Sequence, residues 1–206
     1  MRQRDEIAVA DCLNHVVQIF NSNGDFTRAF GHQGSKNGEF KYPFGIAYDK
    51  GGNIFVADNS NHRIQNFSGE GRYMGMFGEK GRLDSQLSYP WGLSFDTNGN
   101  IVVADTANKV IEIFSPTRKL IKRIGGPSYF SFPVHCVQCD GNFIVSDSGD
   151  SIIRVSSEEG VYKYNFGKRG GGDGELIYPC FLSVTESRLW WPRCAIEELY
   201  TISRLI

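Results

Sequence analysis

The chain lacks most of the features that would assign a function at sight. Its 22 basic and 23 acidic side chains leave a formal charge of −1, so no global field draws it to nucleic acid or membrane, and any such binding must come from a local patch. No run approaches the roughly 18 apolar residues of a membrane-spanning helix, and the N-terminus MRQRDEIAVADC has no signal-peptide apolar core; the expected compartment is the cytoplasm. Five cysteines, Cys12, Cys136, Cys139, Cys180 and Cys194, are odd in number, irregularly spaced and too sparse for a disulfide scaffold, so free thiols are expected. Cys136 and Cys139 form a CxxC, but in an expected strand, where residues three apart point to opposite faces, which argues against a redox or zinc pair. No helical period persists over three turns.

What the chain has in quantity is glycine, 24 residues, with Val, Ile, Phe and Tyr in short runs. Glycine serves turns, and branched and aromatic side chains suit a pleated surface, so β-structure is expected. A length of 206 residues at 40% hydrophobic composition allows one sizeable core or two small ones.

The stretch IFVADNSNHRIQNF, Ile54 to Phe67, sets an apolar strand against Asp58, then a polar turn, then a second alternating strand. Alone it could be a catalytic or metal-binding constellation. It recurs, however. Strand-ending aspartates stand at Asp11, Asp58, Asp105 and Asp147, prolines of KYPFGIAYD-like segments at Pro43, Pro90, Pro133 and Pro179, and an apolar residue followed by glycine at Gly31, Gly78, Gly125 and Gly167. All three markers keep one rhythm of about 47 residues, broken only where the short connection GGPSYFSFP replaces the longer GHQGSKNGEFKYP or GEKGRLDSQLSYP.

Within the second unit the pattern predicts four strands, 44–49, 53–57, 62–67 and 72–77, joined by the turns KGG, DNSN and SGEG. Four strands in 40-odd residues make a propeller blade. The fold class is therefore all-β, a β-propeller with an incomplete ring of about four blades. Blades are expected at 40–78, 87–125 and 130–167, a partial blade at 7–31 and the start of another at 176–184, all within a propeller segment 1–184. The remainder, 185–206, loses the pattern and reads as a divergent tail.

The WD40 signatures are absent. Asn61-His62-Arg63-Ile64-Gln65 and Asn14-His15-Val16-Val17-Gln18, within a pattern YPxGIAxDxxGNIxVADxxNHRIQxF, resemble the NHL repeat, and most closely the NHL propellers of tripartite-motif (TRIM) proteins. The likeness runs over roughly residues 7 to 184 and is weakest in the fourth unit, where Asp150-Ser151-Ile152-Ile153-Arg154 replaces the signature. It implies RNA or protein binding on one face. It also implies missing blades and upstream oligomerising domains in the full-length protein, whose RING, B-box and coiled coil would make a ubiquitin ligase. No such zinc-binding region is present, so ligase activity is not expected in this chain.

A catalytic residue is needed once and a structural one in every blade, so the repetition of Asp11, Asp58, Asp105 and Asp147 points to turn locks that accept amides one to three residues on. His15 and His62 are repeat equivalents, and His32 and His135 stand in unrelated contexts, so no metal and no cofactor is expected. No Ser-His-Asp or Cys-His arrangement has motif support, and Gly170-Gly171-Gly172 lies between blades rather than before a helix, which disfavours a phosphate loop. The candidate partner-binding residues lie in the turns and inter-blade connections: Lys36, Lys41, Tyr42, His62, Arg63, Lys80, Arg82, Tyr89, Trp91, Lys109, Lys168, Arg169 and Tyr178. Cations interleaved with rings suit phosphates and unpaired bases. The competing class is a propeller enzyme of the metal-dependent lyase or hydrolase type, which channel-lining His, Glu and Asp ligands would mark.

Overall fold

The structure is a computed structural model describing residues 6–184 and 200–202. The first sheet has three strands, β1 (Glu6–Asp11), β2 (Val16–Asn21) and β3 (Phe26–Phe30). Three four-stranded meanders follow: β4 (Pro43–Tyr48), β5 (Ile54–Asp58), β6 (Arg63–Phe67) and β7 (Tyr73–Phe77); β8 (Pro90–Phe95), β9 (Ile101–Asp105), β10 (Val110–Phe114) and β11 (Leu120–Gly125); β12 (Pro133–Cys139), β13 (Asn142–Asp147), β14 (Ile152–Ser157) and β15 (Tyr162–Phe166). β16 (Phe181–Ser183) pairs with β17 (Tyr200–Ile202). The four strands expected in the second unit match to within one residue at each end. The divergent tail lies outside the described residues except for β17.

Every pairing between the described strands is antiparallel and sequential, so each sheet is a blade that cannot enclose a core by itself. The core is accordingly divided among the blade interfaces. Val17, Ile19, Phe40, Val56 and Phe67 fill the first; Ala57, Ile64, Leu87, Val103 and Phe114 the second; Val102, Ile111, Phe130 and Phe143 the third; Val137, Ile144, Ile153 and Leu182 the fourth. β5, β6, β9 and β10 are buried along their whole length, on both faces, because a neighbour covers each side. The last strand of a blade is more exposed: Met74 and Met76 of β7 face solvent, and four successive residues of β15 are exposed.

The innermost strands approach closely enough to require glycine. A Cβ on Gly45 would stand 2.6 Å from the Trp91 carbonyl oxygen, and one on Gly92 2.4 Å from that of Val134. Both glycines lie two residues beyond the repeat proline, and His135 holds that place in the fourth blade. Its ring packs against Gly92, accepts from the Leu182 amide at Nδ1 (3.2 Å) and reaches the Leu93 carbonyl through Nε2 (3.3 Å), joining three blades.

Cys136 belongs to the third interface and Cys139 packs against the fourth, so the CxxC pair does face opposite ways. Cys12, Cys136 and Cys180 are free, but Cys139 is disulfide-bonded, which corrects the expectation of free thiols at that position.

Candidate functional site

Each connection between blades folds back over the turn joining the second and third strands of the next. Ser60 N donates to the Lys41 carbonyl, Ala107 N to that of Ser88 and Ser148 N to that of Phe132, each at 3.0 Å. Connections and turns thus form one face.

Beneath it sit the repeated aspartates, and their partners differ from the expected ones. Asp58, fully buried, accepts from the Lys41 amide at 2.7 Å, Asn61 Nδ2 at 2.9 Å, Arg63 Nε at 2.7 Å and Gln65 Nε2 at 3.0 Å. Asp105 takes the Ser88 amide at 2.7 Å, and Asp147 takes those of Ser131 and Phe132. Only Asp11 receives an amide three residues on, that of Asn14 at 3.3 Å. The carboxylates therefore clamp the incoming connection rather than close their own turn. Local Asx turns belong to Asp49 and Asp96, each of which accepts the amides two and four residues ahead.

This clamp removes Arg63 from the binding set. Its guanidinium is buried on Asp58 and donates to the carbonyls of Lys36 (2.7 Å) and Glu39 (2.8 Å), because a buried carboxylate and orphan carbonyls need a fixed cationic donor. His62 is withdrawn too: it is 8% exposed, its Nδ1 accepts the Tyr89 amide at 3.1 Å, and burial first, then Lys80, lowers its pKa. His15 does the same for the Tyr42 amide at 3.0 Å.

What the histidines present is the rings. Tyr42, Tyr89 and Tyr178 precede the repeat prolines with φ of 52°, 53° and 49°, a left-handed backbone that non-glycine residues rarely adopt. With Phe132 they form a series, one ring per blade, 40–56% exposed. His15 meets Tyr42 and His62 meets Tyr89 edge-to-face, at 4.7 and 4.4 Å. Just inside, Trp91 is half-buried, stacked on Phe44 at 4.3 Å and edge-on to Phe132 at 5.6 Å.

Lys36, Lys80, Arg82, Lys168 and Arg169 are exposed on the connections, while Lys41 and Lys109 are half-buried. Lys168 pairs with Glu175 at 3.0 Å, and Arg169 lies 5.7 Å over the Tyr178 ring. Among the described residues no group of three His, Cys, Asp or Glu side chains could hold a metal, and no helix is long and apolar enough to cross a membrane.

The NHL repeat model matches residues 40–67 and 87–114. The chain carries NHL repeats. No curated protein sequence matches it. Among solved structures, the chain resembles a streptogramin B lyase, with a TM-score of 0.61 at 18% identity over 78% of this chain and 50% of that one. The selenomethionine-substituted virginiamycin B lyase from Staphylococcus aureus scores 0.60 at 14% identity over 78% and 51%, and Kuenenia stuttgartiensis hydrazine synthase 0.60 at 12% over 86% and 48%. These likenesses show the propeller fold, and the chain spans about half the length of those structures.

Two departures within the repeated units escaped the reading of the sequence. Glu112 stands 47 residues after Gln65, and His135 holds the glycine position of Gly45 and Gly92. Both are visible once the repeats are laid in register; a motif search for catalytic spacing passes over them.

Proposed function

We propose that this NHL segment is a non-catalytic binding module that holds single-stranded RNA across its loop face. The row of outward-turned rings, Tyr42, Tyr89, Phe132 and Tyr178, flanked by Lys36, Lys80, Arg82 and Arg169, carries the reading. Rings spaced one per blade offer stacking platforms, and the cations neutralise phosphates between them. The backbone strain at the three tyrosines is consistent with a surface shaped to present those rings.

The sequence resemblance extends the proposal to the whole protein: a cytoplasmic post-transcriptional regulator or TRIM-type ubiquitin ligase, with further blades and oligomerising domains outside this segment. Crosslinking and filter binding to a randomised RNA pool, with the segment in a completed propeller, should show affinity falling with salt. Charge reversal at Lys80, Arg82, Lys168 and Arg169 should abolish binding, and Tyr89→Ala should cost about 1–3 kcal/mol. A charge-reversed variant that binds as well as the parent ends the RNA reading; a partner retained without salt dependence points to protein instead.

The enzymatic alternative draws on the lyase neighbours, one of them solved as a catalytically inactive H270A virginiamycin B lyase with quinupristin (14% identity, over 84% of this chain and 60% of that one). Here His15, His62 and His135 each give Nδ1 to a backbone amide, so their observed bonds are structural, and the binding reading is preferred.

A further inference from the structure

The aspartate clamp is chemically different in the third blade. In the second, the carboxamide of Gln65 donates from Nε2 to Asp58 Oδ2 (3.0 Å) and to the Glu39 carbonyl (2.7 Å), so every acceptor there faces a donor. The equivalent residue in the third is Glu112, in the same register: Gln65 lies across from Val56 as Glu112 does from Val103, and Asp58 across from Arg63 as Asp105 from Val110. A carboxylate there has no N–H to offer. Glu112 Oε1 accepts from Arg123, at 2.9 Å from Nε, but Oε2 is buried with no hydrogen-bond partner. Asn108, whose Nδ2 donates to Asp105 Oδ2 at 2.6 Å, also keeps a buried Oδ1 without a donor. Two orphan acceptors beside a buried carboxylate mark a site short of a hydrogen.

We propose that Asp105 and Glu112 hold one proton between them at neutral pH, so that an acid–carboxylate pair does the work of the amide–carboxylate pair Gln65–Asp58. With the proton on Oε2, Glu112 becomes the donor this position requires. Besides the two carboxyls themselves, Asp105 from β9 and Glu112 from β10, the charged groups facing them are Arg123 from β11 and Asp84 from the connection, 3.7 Å from Arg123. One guanidinium, shared with Asp84, balances one buried carboxylate and not two. Consistent with this, burial pushes Asp105 up to about 7 against the pull of the Ser88 amide and Asn108, and burial raises Glu112 against Arg123.

The pair also anchors a segment. Asp105 holds the Ser88 amide, and Arg123, fixed by Glu112, donates to the Leu83 carbonyl at 3.0 Å. Loss of the shared proton sets two buried anions against one cation and weakens the hold on connection 79–88, whatever ligand the face takes.

Infrared titration of the whole chain, which tolerates self-association, tests the assignment. The parent should show an un-ionised carboxyl band at about pH 6 that is lost by about pH 9, and Glu112→Gln should lack it. Stability of the parent should fall as pH rises from about 4 to about 7, the span between the ordinary and the raised value of Asp105, while Glu112→Gln, which restores the amide, should lose that slope and melt higher at the alkaline end. An equal slope in the variant overturns the proposal. Should the variant fail to fold, the parent's band alone decides: carboxyls all ionised by about pH 5 overturn it as well.

Discussion

At Asp58 a buried carboxylate collects a backbone amide, an asparagine, a glutamine and an arginine, so its removal strands the Arg63 charge in a dry site. Asp58→Ala is expected to cost about 3–5 kcal/mol, measured by urea unfolding, and Arg63→Ala a comparable amount. A ligand-contacting role for Arg63 would instead leave stability within about 0.5 kcal/mol. His135 sets a pH dependence of opposite sign to that of the acid pair. Burial lowers it to about 4 from 6.5, so the unfolded chain takes up a proton first as pH falls. Its contribution is complete above about pH 6.5 and lost toward pH 4, on the order of 3 kcal/mol, which a pH series of thermal melts with ring-proton titration would follow. The role of the aspartates as structural repeats could be read from their period. Their partners could not, since Lys41 and Ser88 lie 17 residues back along the chain.

Along the elements, the inner strands are held at a separation that only glycine permits. Gly92→Ala would drive a methyl against the Val134 backbone, which cannot yield as a flexible side chain would. We expect a loss above about 2 kcal/mol, read by calorimetry. Gly171→Ala, which meets nothing within 4 Å, should be neutral or slightly stabilising. The strands of the second unit were legible to within a residue because alternation and turn residues agree there. The left-handed conformation of His62 ends the turn one residue later than the residue types suggested. Whether a ring faces solvent or the next blade depends on the connection crossing it: Phe40 and Phe130 are buried on connections where Tyr42 and Phe132, two residues on, are exposed.

For the molecule as a whole, an arc of blades leaves an apolar flank. Ile7 and Val9 of β1 and Phe26 of β3 are exposed, alternating with Ala8, which packs into the first interface. The chain alone should therefore self-associate, and light scattering should show oligomers that Ile7→Lys with Val9→Lys reduces. A monomeric, cooperative melt of the parent would refute this. The sequence by itself determined the blade: its period, its four strands and the glycine and proline punctuation are local patterns, and locality makes them readable. Tertiary structure alone decided which repeated residues stay exposed on the loop face and which hold the blades. That outcome rests on contacts between units: Asp58 reaching back to a connection, His62 meeting the next blade's tyrosine, Glu112 inheriting a donor's place without a donor.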